Sequence, residues 1–200
     1  MPTALHESPA DWMYRQVHSW TLAGLLSLEN IDQLEFSGKT VEEFCIPFVD
    51  HGKVADFAIF PYIDGDINGD TSWYPSIVLE TGLSESRHRL REDCALWMVG
   101  AAGAVKVLLA VKIFAPTVNG RVKVTLTIFR NLQSTSCDFS EFDIFPVPYP
   151  HPTNPVITIH EMYAGYVPAG FDSGTCLPLD LEPLRWRLRK KILEQGWLPA

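Results

Sequence analysis

Two acids interrupt otherwise apolar, strand-like stretches: Asp56 within Lys53–Phe60 and Glu80 at the end of Ser76–Glu80. An acid in such a stretch costs several kcal/mol of desolvation unless a cation or a hydrogen bond compensates it. If the two strands pair side by side, both carboxylates converge on one point. A converging pair suits a hard cation such as Mg2+, which generates hydroxide and stabilises charge at phosphorus. The same pair equally suits a guanidinium or an amine. Taken singly, each acid is as readily a solvated strand end.

Cationic residues offer substrate contacts. Arg87 and Arg91 stand one turn apart on the helix expected after Glu80, where guanidinium groups clamp phosphate oxygens. The bland alternative is a solvated face balanced by Glu85, Glu92 and Asp93. Arg185, Arg189 and Lys190 belong to the strongly basic run Arg185–Lys191, which would dock a nucleic-acid backbone. Otherwise that run is a surface helix whose cations suit the macrodipole. Asp64–Gly69 opens like a calcium loop, but Pro75 stands where the bidentate Glu is needed, so it reads as a turn-rich loop. His160–Glu161 lacks the second His of a zinc helix.

The elements that must position these residues follow from periodicity and punctuation. Ser8 and Pro9 predict a helix over 9–26, with Met13, Val17 and Trp20 at helical spacing. A short helix is expected at 41–45, strands at 53–60 and 76–80, and a helix over 85–99 whose apolar face is Leu90, Cys94, Trp97 and Met98. Val105–Phe114 reads as a central buried strand. Asn119–Gly120 marks a hairpin turn into 121–129, whose strict alternation predicts an edge strand with one wet face. Residues 146–155 are proline-dense and irregular, 156–160 a short strand, and the chain closes on a basic helix over about 183–195. Leu184, Leu188 and Ile192 form its apolar stripe and the arginines the remainder.

The pattern Lys53-Val-Ala-Asp56, then Tyr74-Pro-Ser-Ile-Val-Leu-Glu80-Thr-Gly-Leu-Ser-Glu-Ser86, then a helix ending Leu-Trp-Met, resembles the PD-(D/E)XK nuclease-like family. It is especially similar to small fungal proteins whose strand reads "vvlEvGxSeS". The resemblance covers about 40–130. It implies a single α/β domain over 1–200, a central mixed β-sheet flanked by helices, restriction-endonuclease-like, with Mg2+ on Asp56 and Glu80. That family's lysine two residues after the Glu is Gly82 here, leaving Lys53, Lys106, Lys112 or Arg87 to substitute. The chain also resembles, in size and in lacking a standard cofactor motif, the arginine-containing cyclodipeptide synthases. That likeness implies peptide-bond formation from aminoacyl-tRNA without a cofactor, with Glu80 or Asp56 receiving the arginyl group or acting as base. Ser84 and Ser86 would stand near the ester, and the C-terminal helix would hold the tRNA acceptor end. The alternatives are a Mg2+-dependent nuclease and a non-catalytic binding module.

Composition bounds these readings. The 200 residues suit one domain, and 46% hydrophobic against 20% charged residues excludes global disorder. A net charge of −8 excludes a protein that coats DNA non-specifically over a broad basic surface. No apolar run of about 18 residues spans a membrane, and Met1–Glu7 lacks a secretory pattern. The four cysteines, Cys45, Cys94, Cys137 and Cys176, have neither zinc nor disulfide-framework spacing. A cytoplasmic location is the resulting expectation.

Overall fold

The computed structural model describes residues 3–62, 74–83, 87–130 and 138–200. The chain begins with α1 (Ala4–Leu22), α2 (Leu28–Ile31), β1 (Leu34–Phe36), β2 (Thr40–Val41), β3 (Lys53–Val54) and β4 (Phe57–Pro61). Next come β5 (Ile77–Leu83), α3 (Arg87–Ala95), a π-helical turn (Leu96–Gly100) and β6 (Val107–Ile113). The remainder is β7 (Arg121–Val122), β8 (Val124–Arg130), β9 (Asp138–Phe145), β10 (Val156–Thr158), α4 (Ile159–Met162), β11 (Cys176–Pro178), α5 (Leu181–Glu194) and β12 (Leu198–Pro199).

A six-stranded sheet in the order β1-β4-β5-β6-β8-β9 forms the centre. Only β5 and β6 pair in parallel; the other neighbours are antiparallel, so the sheet is mixed. A parallel pair needs a crossover, and α3 with its π turn provides it. Strand side chains alternate between faces, which divides the core in two. Ile77, Leu79, Leu109 and Leu126 pack against Trp12, Met13 and the Leu184–Leu188–Ile192 stripe of α5. Val78, Leu108 and Ala110 pack against Leu90, Cys94 and Trp97 on the opposite face. The indole N–H groups of Trp12 and Trp20 donate to the carbonyls of Asp180 and Pro178 at 2.7 Å, fastening α1 to the segment that starts α5. This is the expected α/β architecture of a mixed sheet flanked by helices. None of the described helices is long and apolar enough to cross a membrane.

Several expectations are corrected. α1 starts at Ala4 because Thr3 caps it and Leu5 is drawn into the core; Ser8 lies inside the helix and its hydroxyl donates to the Ala4 carbonyl. It ends at Leu22, where Gly24 adopts φ +70°, a left-handed stop that costs glycine little. The helix expected at 41–45 is absent: Val41 instead pairs with Lys53 across β2 and β3. The strand 53–60 is broken at Asp56, because the two halves serve different partners, β2 and β5.

The strand over 121–129 is not an edge, since β9 covers it. β9 escapes a period-2 reading because Phe139 and Phe142 fall on opposite parities of an acid-rich segment. His160 lies in α4 rather than in a strand, because Thr158 and Glu161 form a reciprocal capping box. α5 starts two residues before Pro183, capped by Asp180. Asp64–Gly69, Ser84, Ser86 and Cys137 lie outside the described residues.

Candidate functional site

β5 is buried along nearly its whole length, so Glu80 reaches the sheet face under α3 rather than water; it is 4% exposed. The antiparallel register pairs Phe57 with Leu79, and one step further sets Asp56 opposite Glu80. The convergence required by the acidic-strand pattern is therefore built into the sheet. Asp56 does not continue the strand; its Oδ2 accepts the Thr81 backbone N–H at 2.7 Å. His6, from the first turns of α1, brings Nε2 to 3.7 Å from the same oxygen.

Three further side chains complete the centre. The Trp97 indole N–H, in the π turn, donates to Glu80 Oε1 at 2.6 Å. Lys53 Nζ stands 3.6 Å from Glu80 Oε2 and 2.9 Å from Asp93 Oδ2. Asp93 and Trp97 are four apart in sequence, so the end of the crossover helix presents both on one side. Three carboxylates, Asp56, Glu80 and Asp93, thus surround one ammonium.

That imbalance sets the protonation chemistry. Burial pushes the Glu80 carboxyl up to about 8, against the pull of Lys53 and the Trp97 hydrogen bond, and the charges of Asp56 and Asp93 add to the rise. Burial also raises Asp56, restrained by His6, the Thr81 N–H and Lys53. For Lys53, burial acts to lower the pKa, but Glu80, Asp93 and Asp56 together outweigh it and hold the ammonium above its ordinary value. The centre keeps its cation and takes up a proton at its most buried acid. A carboxyl pushed into that range has the protonation behaviour that acid–base chemistry requires.

Three oxygens of the Asp56–Glu80 pair already have protein partners. One Glu80 oxygen is occupied by the Trp97 N–H and the other faces the Lys53 ammonium, while Asp56 Oδ2 is spent on a backbone amide. Among the described residues, no group of three or more His, Cys, Asp or Glu is arranged to hold a metal.

The other expected site residues are dispersed. Arg87 opens α3, and Arg91 is exposed on the same helix. Arg185 is 5% exposed, ion-paired to Glu182 at 2.6 Å and directed at the Asp143 carbonyl, so it does not belong to an exposed basic stripe as its sequence position suggested. Its place on α5 lets it lie beside β9. Arg187 and Lys191 pair with Asp11 and Glu194. Arg189 and Lys190 are exposed, lying over the Phe145 and Trp186 rings at 5.9 and 5.8 Å. All of α5 packs on the sheet face opposite Glu80, so the structure does not bring the basic helix to the acidic centre.

Of the four candidate replacements for the missing lysine, Lys53 reaches Glu80, and Lys112 lies beside Gly82, its Nζ 3.4 Å from that carbonyl. Lys106 turns back to the Gly103 carbonyl. Sequence reasoning missed His6, Asp93 and Trp97 as parts of the centre; only the i, i+4 spacing of the last two pointed to it. The chain matches no protein-family model, no curated protein and no solved structure.

Proposed function

We propose that the chain is an acid–base enzyme on a restriction-endonuclease-like sheet, turned to aminoacyl-tRNA-dependent peptide-bond formation of the arginine-containing cyclodipeptide synthase kind. The observation that supports this reading is the buried Glu80 carboxyl, held by Trp97 and faced by the Lys53 ammonium at 3.6 Å. Ester aminolysis requires the α-ammonium to release one proton to solvent before attack, and the attacking amine to lose a second, which the departing ribose oxygen gains. Free α-amines titrate at about 7.7–8.0, close to the value of about 8 for Glu80. A matched pair exchanges protons with little penalty in either direction.

On this reading the Glu80 carboxylate accepts the proton as the amine nitrogen attacks the ester carbon. It returns that proton to the ribose oxygen as the ester C–O bond breaks. Lys53 stabilises the Glu80 carboxylate while the proton is away, and Asp56 receives the arginyl guanidinium. Arg189 and Lys190, on the far side of the sheet, meet the body of the tRNA rather than its acceptor end.

The pairing of Asp56 with Glu80 across neighbouring strands also favours a second reading, a Mg2+-dependent nuclease, which requires Lys53 to leave the acids. Mass spectrometry of small molecules from cells expressing the wild type or Glu80→Gln separates the two. Arginine-containing cyclic dipeptides made by the wild type and lost in the variant are expected. Their absence, together with Mg2+-dependent cutting of labelled DNA or RNA that Asp56→Ala abolishes, would replace the synthase with the nuclease. Neither product nor cutting would leave a binding module.

A further inference from the structure

β8 and β9 extend the sheet face that carries Glu80 beyond α3, which packs on β5 and β6. The register sets Glu80, Ala110, Thr127 and Glu141 side by side across four strands. Leu108, Phe129 and Phe139 form the next row on the same face, two residues along each strand. Leu90, Ala95 and Met98, from the crossover helix and its π turn, stand beside the outer part of these rows. Between helix and strands lies a cleft of about 450 Å³, a size within the range of small-molecule sites, about 300–1,000 Å³.

The walls are mainly apolar, and two of their side chains meet water: Val99 is 45% exposed and Phe139 59%. The Phe139 ring lies 6.1 Å from that of Phe129, so the strand side is an aromatic shelf. The rim charges have opposite signs and stand on opposite walls. Arg91 comes from α3 and Glu141 from β9; both are exposed, and among the described residues neither forms an ion pair. The Thr127 hydroxyl lies 3.4 Å from Glu141 Oε2. Lys112, at the floor, is already engaged by the protein, its Nζ 3.4 Å from the Gly82 carbonyl and over the Phe114 ring at 5.7 Å.

We propose that this cleft binds a small zwitterion with an apolar, ring-bearing body, such as a free aromatic amino acid. The ring lies on the Phe129–Phe139 shelf, the Arg91 guanidinium takes the carboxylate, and Glu141 takes the ammonium. One rim charge alone would select a simple anion or a simple cation. A guanidinium and a carboxylate on opposite walls of an apolar cleft select a ligand that carries both. Arg91 requires a free carboxylate, which an aminoacyl ester lacks. The ligand is therefore distinct from the substrate proposed for Glu80, and the assignment stands without that reaction.

Titrations of the full nitrogen-15-labelled chain with L-tryptophan, tryptamine, indole-3-propionate and glycine, followed by amide chemical shifts, test it. Tryptophan is expected to shift Arg91, Met98, Thr127 and Phe139. It is expected to bind roughly fivefold tighter than either indole lacking one charge, the scale of one partly exposed ion pair. Glycine, without a ring, is expected to leave those amides in place. Arg91→Met is expected to bring tryptophan down to the affinity of tryptamine, and Glu141→Gln to that of indole-3-propionate. Both residues are exposed, so neither variant disturbs the core. Phe139→Ala is expected to weaken all three indoles. Equal affinities for the three, shifts confined to residues outside the cleft, or no binding would overturn the proposal. So would the same amides shifting with protein concentration alone, since a second copy would then fill the cleft.

Discussion

The ammonium of Lys53 stands 3.6 Å from Oε2 of Glu80, although the two residues belong to strands that do not pair with each other. Among the described strands β3 pairs with β2, outside the main sheet, and the break at Asp56 turns the chain so that Lys53 lies over the end of β5. One lysine therefore takes the place between the carboxylates that a dication would need. The following outcomes are expected from that arrangement.

Removing the ammonium should open a cation site. In Lys53→Met, Asp56, Glu80 and Asp93 lose the ammonium they share, and His6 remains beside Asp56 alone. The variant is expected to quench the free-ion electron paramagnetic resonance signal of Mn2+ at a concentration roughly tenfold or more below that needed by the wild type. Identical titrations would show that Lys53 does not exclude a cation.

Stability should fall with rising pH across one window. The Glu80 carboxyl moves from 4.5 when unfolded to about 8 when folded, so the folded state binds the extra proton between those values. Its contribution is full below about pH 4.5 and is lost as pH rises to about 8, on the order of a few kcal/mol. Asp56, raised in the same direction, adds to the slope from its own range upward. Urea midpoints measured from pH 5 to 9 should decline in the wild type and flatten in Glu80→Gln. An equal decline in the variant would place the pH dependence elsewhere.

Trp97→Phe removes the hydrogen bond that holds Glu80 Oε1 and leaves a buried acid short of a donor. A loss of about 1–3 kcal/mol is expected in chemical denaturation. The Glu80 titration should move further up, because the missing bond favoured the charged form. A downward movement would contradict the role given to the indole.

Arg185 and Glu182 should respond asymmetrically. Arg185 is 6% exposed in its side chain and Glu182 61%. Glu182→Ala strands a buried guanidinium, whereas Arg185→Met replaces it with an apolar side chain of similar length. The first is expected to cost about 1–3 kcal/mol and the second less than about 1 kcal/mol. The reverse order in thermal melts would show that Arg185 is held by something other than Glu182.

Much of this centre was legible in the sequence, for a physical reason. An acid in a strand that is otherwise Ile, Val and Leu has to be compensated, and Asp56 and Glu80 announce themselves by that cost. Periodicity also marked the central strand, the two sheet-covering helices and the apolar stripe of α5. Partners that come from afar left little trace. His6 arrives from α1, and no local pattern sets its position; Lys53, from a two-residue strand outside the main sheet, stood out only as one of four candidates for the missing lysine. Arg185 read as part of a solvent-facing basic run because a helical wheel does not show that β9 lies alongside; β9 itself is too polar to signal a strand. Asp93 and Trp97 were visible as one helix face, but as charge and core rather than as the two groups that fix Lys53 and Glu80.

The most direct test is the titration of the Glu80 carboxyl itself, followed by carbon-13 nuclear magnetic resonance with Glu80→Gln as the assignment control. The expected result is a midpoint near 8 in the wild type, moving upward in Lys53→Met as the compensating cation is lost. A midpoint in the ordinary glutamate range, unmoved by Lys53→Met, would contradict the assignment of Glu80 as the proton-transfer group and of Lys53 as its cation.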